Sequence, residues 1–152
     1  MNEIELTKIL VGNPVTAPHF CGVISHDQLN KLPTRLQQGF YVCNTDDSTG
    51  PGEHWVTVSW FQGQESEFFD SLAKSPTEYS INFTNFLINN GPQYKMSTMR
   101  IQGPHSIKCG EFCLFYAYHR CKGYTLNDIV TMFSKTHFAL NDFKVERFVN
   151  KM

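Results

Sequence analysis

The chain has 152 residues, of which 41% are hydrophobic and 14% aromatic, and its formal net charge is −1. This length supports a core, and the composition excludes an intrinsically disordered chain. The near-neutral charge excludes a global electrostatic field that would draw the chain to nucleic acid or to an anionic membrane. We expect one globular domain that spans residues 1–152.

The cysteine content and the first residues of the chain indicate the cellular compartment. The five cysteines are at positions 21, 43, 109, 113 and 121. An odd number at irregular spacing argues against a disulfide framework and favours a reducing compartment. Glu3, Glu5 and Lys8 interrupt any signal-peptide core, and no apolar run is long enough for a membrane span. We expect a protein of the cytoplasm or nucleus, or of a particle made there, that is neither secreted nor membrane-bound.

The N-terminal third combines a helix, an irregular stretch and a strand. Asn2–Val11 has apolar residues at helical spacing. Thr16–Leu36 reads as mostly irregular because prolines interrupt it, and Gly39–Asn44 reads as a strand because it is rich in aromatic and β-branched residues. Thr45–Glu53 is rich in turn-forming residues.

An antiparallel hairpin follows this turn. His54–Phe61 alternates as a strand, Gln62–Glu65 turns the chain, and Glu67–Asp70 returns. A turn centred on Gln62 places His54 directly opposite Asp70, with Cβ atoms roughly 4.5–5.5 Å apart, so the carboxylate can hold the imidazole. A slip of one residue would put the two side chains on opposite faces.

The second half of the chain reads as mainly helical. Ser75–Glu78 begins a helix, with serine as N-cap, proline next and glutamate three residues after the cap, and Gly91–Pro92 ends it. Met96–Gln102 reads as a strand, and Thr125 and Asn141 read as N-caps of two later helices. These elements predict an α+β fold, with a central mixed or antiparallel sheet packed against a buried central helix.

That central helix follows a polar loop, and Cys109 lies at the junction. A helix N-terminus carries partial positive charge and free N–H groups that favour a thiolate, so Cys109 is a candidate nucleophile. Thiol catalysis needs a base and a group that orients it, which His54 and Asp70 can supply. The side-chain amide of Gln102 and the backbone N–H of Cys109 could converge on an oxyanion.

A zinc site and a structural role are the alternatives for these cysteines. Four ligands on one helix (Cys109, Cys113, His119 and Cys121) cannot converge tetrahedrally, so we expect no metal. Buried helical cysteines are usually small hydrophobes, which is the interpretation that we give to Cys113 and Cys121.

Three segments follow one another in a specific order: Gly-Glu-His-Trp-Val-Thr-Val-Ser-Trp, then Phe-Phe-Asp, then Gln-Gly-Pro-His-Ser-Ile-Lys-Cys-Gly-Glu-Phe-Cys. Together they resemble the adenovirus protease (adenain) family and, more distantly, the ubiquitin-like-protein proteases of the same clan. The resemblance implies a papain-like or adenain-like fold. It makes Cys109 the nucleophile, His54 the general base and Gln102 part of the oxyanion hole. Asp70 orients the base, where the adenovirus enzymes commonly have glutamate.

The resemblance also implies substrates and cofactors. The family cleaves viral precursor proteins after glycine, in Leu/Ile/Met-x-Gly-x or Leu/Ile/Met-x-Gly-Gly contexts, during particle maturation in the virion or host cell. Its members are activated by a disulfide-linked peptide and by DNA. Asn90–Arg100 has no cysteine, so we expect an activating peptide to bind without a disulfide, and the near-neutral charge argues against DNA dependence. We expect a monomer whose chemistry requires no cofactor.

Two other functions remain open from the sequence. The first is a protease that removes ubiquitin-like proteins, whose tails also end in Gly-Gly. The second is a non-enzymatic binding module that retains the fold.

Overall fold

The computed structural model describes residues 1–32, 38–46, 48, 54–61, 63–91 and 93–152. The described strands are β1 (Phe20–Ser25), β2 (Gly39–Asn44), β3 (Trp55–Trp60), β4 (Ser66–Phe69) and β5 (Tyr94–Met96). The described α-helices are α1 (Glu3–Gly12), α2 (Ile81–Asn89), α3 (Cys109–Cys121), α4 (Leu126–Val130) and α5 (Phe138–Val149). Short 3-10 helices span His26–Lys31 and Pro76–Glu78.

The sheet is mixed and its strand order follows the chain, β1-β2-β3-β4-β5. The pairs β2–β3 and β3–β4 are antiparallel, whereas the outer pairs β1–β2 and β4–β5 are parallel. The chain crosses between the parallel partners through the first 3-10 helix on one side and through α2 on the other. The predicted α+β fold with a central mixed sheet is confirmed.

Two apolar clusters cover the two faces of this sheet. On one face α3 is the central element, and its residues from Gly110 to Ala117 are all buried. The Tyr116 ring stacks on Phe69 of β4 with ring centroids 4.5 Å apart. On the other face Phe83 and Leu87 of α2 pack against the sheet. A helix buried on nearly all sides is a core element, as the sequence predicts for α3.

A buried ion pair fixes the C-terminal end of α3 to the hairpin. The Arg120 guanidinium donates to both carboxylate oxygens of Glu67, at 2.7 and 3.2 Å. The Tyr116 hydroxyl donates to the same carboxylate at 2.9 Å and lies 2.8 Å from the Ser59 hydroxyl. Such a pair stabilises one position of the helix, because either charge would be costly to bury alone.

Local signals predict some elements closely. The bounds of β2 agree with the predicted strand, and α1 begins after Asn2, whose side chain forms a capping box with Glu5. The prediction of a mostly irregular Thr16–Leu36 is wrong, because this segment contains β1. Only its last four residues alternate in burial, and it pairs with β2 in parallel, with an irregularity between Phe20 and Gly22.

One prediction in the second half is confirmed in part and two are wrong. A helix does begin after Ser75, with the predicted capping box to Glu78, but it is a short 3-10 helix, and Ser80 caps a separate start for α2. The strand expected over Met96–Gln102 ends at Met96, where the Ser97 hydroxyl turns to donate to the Asp70 carbonyl at 3.0 Å. Asn141 caps no helix: it is buried inside α5 and donates to the Ile101 carbonyl at 2.9 Å.

Several predicted turn residues lie outside the described residues, namely 47, 49–53, 62 and 92. Within the described ranges, no helix combines the length and apolar character that crossing a membrane would require.

Candidate active site

His54 and Asp70 lie at the open end of the hairpin, His54 just before β3 and Asp70 just after β4. The ladder pairs Thr57 with Phe69, so its continuation would place Val56 opposite Asp70. The predicted register is therefore wrong by two residues. A shift of two keeps both side chains on one face, as diagonal neighbours about 7–8 Å apart. The His54 Nε2 atom reaches Asp70 Oδ1 at 2.6 Å.

Asp70 is fully buried, yet its carboxylate is well supplied with donors. Besides His54, it accepts hydrogen bonds from the Tyr79 hydroxyl at 2.5 Å and from the backbone N–H groups of Leu72 and Lys74 at 3.0 and 3.1 Å. Burial raises the pKa of this carboxyl. The hydrogen bonds from His54, Tyr79 and Leu72 outweigh burial, so the net pKa lies below the ordinary value. Asp70 is therefore ionised at neutral pH.

His54 bridges Asp70 and Cys109. Burial lowers the pKa of the imidazole, but hydrogen bonds to Asp70 and to Cys109 outweigh burial and raise the pKa to about 9. Because Nε2 contacts Asp70, Nδ1 is the nitrogen left for Cys109. The Tyr79 ring lies beside the imidazole, with centroids 5.8 Å apart. The raised pKa favours the imidazolium, which is the state that a thiolate partner requires.

Cys109 is the first residue of α3, as the sequence predicts, and it is partly exposed. Gly110, the next residue, packs closely against the N-terminal residue Met1. A Cβ at that position would lie 3.2 Å from the Met1 Cβ and 3.5 Å from the Trp55 Cδ1. The tight neighbour is Met1, whereas the distance to Trp55, the neighbour of His54, is an ordinary van der Waals contact. The first N–H groups of α3 have no partner within the helix.

Gln102 is buried, and both ends of its amide are held. Its Oε1 accepts a hydrogen bond from the Ser71 hydroxyl at 2.5 Å, and its Nε2 donates to the Ser106 carbonyl at 3.0 Å. The Ser71 carbonyl also accepts from the backbone N–H groups of Ile101 and Gln102. A primary amide has two N–H groups, so one remains for a ligand in a fixed orientation.

Helix α5 supports the loop between Gln102 and Cys109, which we call the catalytic loop. The Ser106 hydroxyl donates to Asp142 at 2.8 Å and accepts from the Lys108 N–H at 3.2 Å. Gly103 lies so close to α5 that a Cβ there would be 3.0 Å from the Phe138 Cβ. These contacts fix the position of the loop relative to α5.

These groups open into a cleft of about 690 Å³. Cys109, His54 and Gln102 line it, together with Trp55 and Tyr79, while Asp70 lies behind His54. The structure thus brings the four predicted site residues to one cleft. The arrangement can hold a thiolate beside an imidazolium and present N–H donors to a developing oxyanion.

The sequence did not indicate Tyr79, Ser71 or Asp142 as parts of this site. Each hydrogen-bonds directly to a site residue or to the catalytic loop, but only the tertiary structure brings the partners together. No local motif marks any of them.

Three of the other cysteines lie in the interior or at its edge. Cys43 and Cys113 are buried, and burial raises the pKa of both thiols. Cys121 is half-buried, and burial raises its pKa to about 11. Among the described residues, no group of three or more His, Cys, Asp or Glu side chains could hold a metal ion.

No protein-family model matches the chain. It is 30% identical over 115 residues to a protease of porcine adenovirus A serotype 3, an alignment that covers 65% of this chain and 54% of that protein. The chain thus spans about half the length of this curated relative.

Two solved structures are similar. The central domain of an uncharacterized Legionella pneumophila protein has a TM-score of 0.52 at 12% identity and covers 99% of this chain and 97% of that one, which shows a shared fold. The crystal structure of an ASFV protease has a TM-score of 0.47 at 24% identity, over 72% of this chain and 43% of that one.

Proposed function

We propose that this chain, a distant homologue of the adenovirus protease, is a cysteine endopeptidase. The observation that carries the proposal is the row of Asp70, His54 and Cys109: the buried Asp70 carboxylate holds the His54 imidazole at 2.6 Å, and His54 and Cys109 line one open cleft. The row joins the end of a hairpin to the first turn of a helix, so its geometry depends on the core packing.

The proposed acylation step begins with a thiolate–imidazolium pair. The Cys109 sulfur attacks the carbonyl carbon of the scissile bond, and the carbonyl electrons move onto oxygen. The free N–H of Gln102 and the first-turn N–H groups of α3 donate to this oxyanion. His54 then gives its proton to the leaving amine, the C–N bond breaks, and a thioester remains.

In deacylation His54 acts as a base rather than as an acid. The neutral His54 takes a proton from water as the water oxygen attacks the thioester carbonyl. The C–S bond breaks, the acid product leaves, and the thiolate–imidazolium pair is restored. Asp70 keeps the imidazole oriented and stabilises its charge throughout.

The proposed substrates are viral precursor proteins, cleaved after glycine in Leu/Ile/Met-x-Gly-x or Leu/Ile/Met-x-Gly-Gly contexts during virion maturation. Support comes from the sequence motifs around His54 and Cys109 and from the similarity to a porcine adenovirus protease. We further propose that the enzyme acts as a monomer in the virion and in the host nucleus or cytoplasm.

The proposed chemistry requires no cofactor, because the nucleophile, base and oxyanion donors all belong to the chain. An activating peptide would bind without a disulfide, since residues 90–100 contain no cysteine. Peptide activation that a reducing agent abolishes would contradict this. The formal net charge of −1 argues against strong activation by DNA.

The decisive experiment measures cleavage of internal Leu-x-Gly-Gly and Leu-x-Gly-x peptides by the purified chain, with mass spectrometry to locate the cut. We expect cleavage after glycine, its loss in Cys109→Ala, and its retention in Cys21→Ala, which removes an exposed cysteine outside the cleft. Activity that survives Cys109→Ala would refute the assignment.

Two further results would favour the other functions. Labelling of Cys109 by a ubiquitin-like-protein vinyl sulfone, without cleavage of the internal peptides, would indicate a deconjugating protease. A folded chain in which Cys109 reacts with iodoacetamide no faster than a free thiol would indicate a binding module.

A further inference from the structure

A second concave surface lies on the opposite side of α5 from the catalytic loop. This surface, which we call the α5 groove, has a volume of about 490 Å³, and Phe115 and Phe148 contribute to its lining. Two large apolar side chains of α5 are exposed beside it, Leu140 at 64% and Phe143 at 56%. Exposed apolar side chains beside a preformed groove are typical of an interaction site.

The charges of α5 are segregated by face. Lys144, Arg147 and Lys151 line the groove, and no acidic residue is among the described residues that line it. The two acidic side chains of the helix lie elsewhere: Asp142 accepts from Ser106 of the catalytic loop, and Glu146 lies 3.8 Å from Lys108. The groove is therefore locally cationic in a chain whose formal net charge is −1.

The cations and the exposed apolar residues share one stripe of the helix. Leu140, Phe143, Lys144 and Arg147 follow the spacing of three and four residues that brings side chains onto one helical face, and Lys151 follows just after the helix ends at Val149. A ligand along this stripe would meet apolar surface and positive charge side by side.

Contacts with the preceding segment hold the groove in place. The Asn141 side chain donates to the Ser134 carbonyl at 2.8 Å, and the Lys144 ammonium donates to the Met132 carbonyl at 2.6 Å. Met132 and Ser134 themselves line the groove. A surface fixed in this way loses little conformational entropy when it binds a ligand.

We infer that the α5 groove binds an acidic amphipathic peptide segment of a partner protein. Its apolar side chains would cover Leu140 and Phe143, and its carboxylates would face Lys144, Arg147 and Lys151. The apolar surface between the cations favours a peptide over nucleic acid, because phosphate backbones gain affinity from many basic contacts and counterion release. Charge complementarity then selects an acidic peptide over a basic one.

The test measures binding of a fluorescein-labelled peptide of about three helical turns, built from Glu, Leu and Ala with the leucines on one face. Without glycine, the peptide is not a substrate of the proposed endopeptidase, so the binding result is independent of the proposed activity. A control peptide carries Gln in place of every Glu. Fluorescence anisotropy with the full chain gives the affinity at low and at high salt.

We expect the acidic peptide to bind at least about tenfold more tightly than the Gln peptide, and to weaken as salt rises. Arg147→Glu and Phe143→Ser should each weaken binding by about tenfold or more. The matched control is Ile4→Ser with Lys8→Glu, an exposed aliphatic residue and lysine on α1, which should bind like the wild type. All four positions are exposed, and circular dichroism melts verify that the variants fold.

Four results would overturn the inference. Equal binding of the acidic and Gln peptides would remove the role of charge. Equal binding by wild type, Arg147→Glu and Phe143→Ser would place the peptide elsewhere. Self-association that Phe143→Ser abolishes, or a DNA duplex that binds more tightly than the acidic peptide through Arg147, would assign the groove to another occupant.

Discussion

Replacing Asp70 by asparagine tests the part of the proposed mechanism that the structure describes in most detail. The substitution preserves shape but removes the charge that faces His54 at 2.6 Å. An amide can also turn its NH₂ group toward His54 Nε2, which would then have to accept a hydrogen bond, and the ring would be held in the wrong protonation state.

The size of the effect follows from the His54 pKa. A rise from 6.5 to about 9 corresponds to roughly 3 kcal/mol of preference for the imidazolium. Asp70 supplies a large part of that preference, so in Asp70→Asn the His54 pKa should fall back toward 6.5. We expect kcat/KM for a Leu-x-Gly-Gly peptide to fall by roughly three to four orders of magnitude.

The pH–rate profile separates this mechanism from a general loss of structure. In the wild type the imidazolium is lost as the pH rises through about 9, so we expect the alkaline limb of kcat/KM near that pH. In Asp70→Asn the limb should move to lower pH. Asp128→Asn, the same change at an exposed cap outside the cleft, should keep the wild-type profile.

The His54 pKa also predicts how the free energy of unfolding depends on pH. Because folding raises the His54 pKa from 6.5 to about 9, the native state binds the proton more tightly than the unfolded state does. This stabilisation is fully present below pH 6.5 and is lost as the pH rises through about 9. Urea unfolding should show a declining free energy of unfolding over this window in the wild type and a flatter curve in Asp70→Asn. An unmoved alkaline limb together with an unchanged stability curve would refute the reasoning.

Three further variants test the supports of the site. Ser71→Ala leaves the buried Gln102 carbonyl oxygen without its donor, so we expect a loss of about 1–3 kcal/mol in urea unfolding and a lower kcat with little change in KM. Ala73→Gly relieves a backbone φ of 58°, so thermal melts should show a gain of up to about 1 kcal/mol. Arg120→Met leaves the Glu67 carboxylate buried without its cation, so we expect the free energy of unfolding to fall by about 3–5 kcal/mol. An unchanged urea midpoint would contradict this.

Local signals in the sequence determine much of the fold. A run of aromatic and β-branched residues gives β2 its observed bounds, and the break at Gly103-Pro104 precedes a helix that begins at Cys109. The alternation of a strand also puts His54 and Asp70 on one face, because a register shift of two residues preserves that face. These features depend on backbone preferences and side-chain alternation, which are set by a few neighbouring residues.

The tertiary structure decides what those signals leave open. It sets the hairpin register, pairs β1 with β2, and brings Tyr79 to Asp70, Ser71 to Gln102 and Asp142 to the catalytic loop. The Ser71–Gln102 bond joins positions 31 residues apart, and the Ser106–Asp142 bond joins positions 36 apart. Such contacts form only when separate elements pack on one core. The sequence therefore identifies the reacting groups, while the packing of α3 against the hairpin, and of α5 against α3 and the catalytic loop, determines their distances.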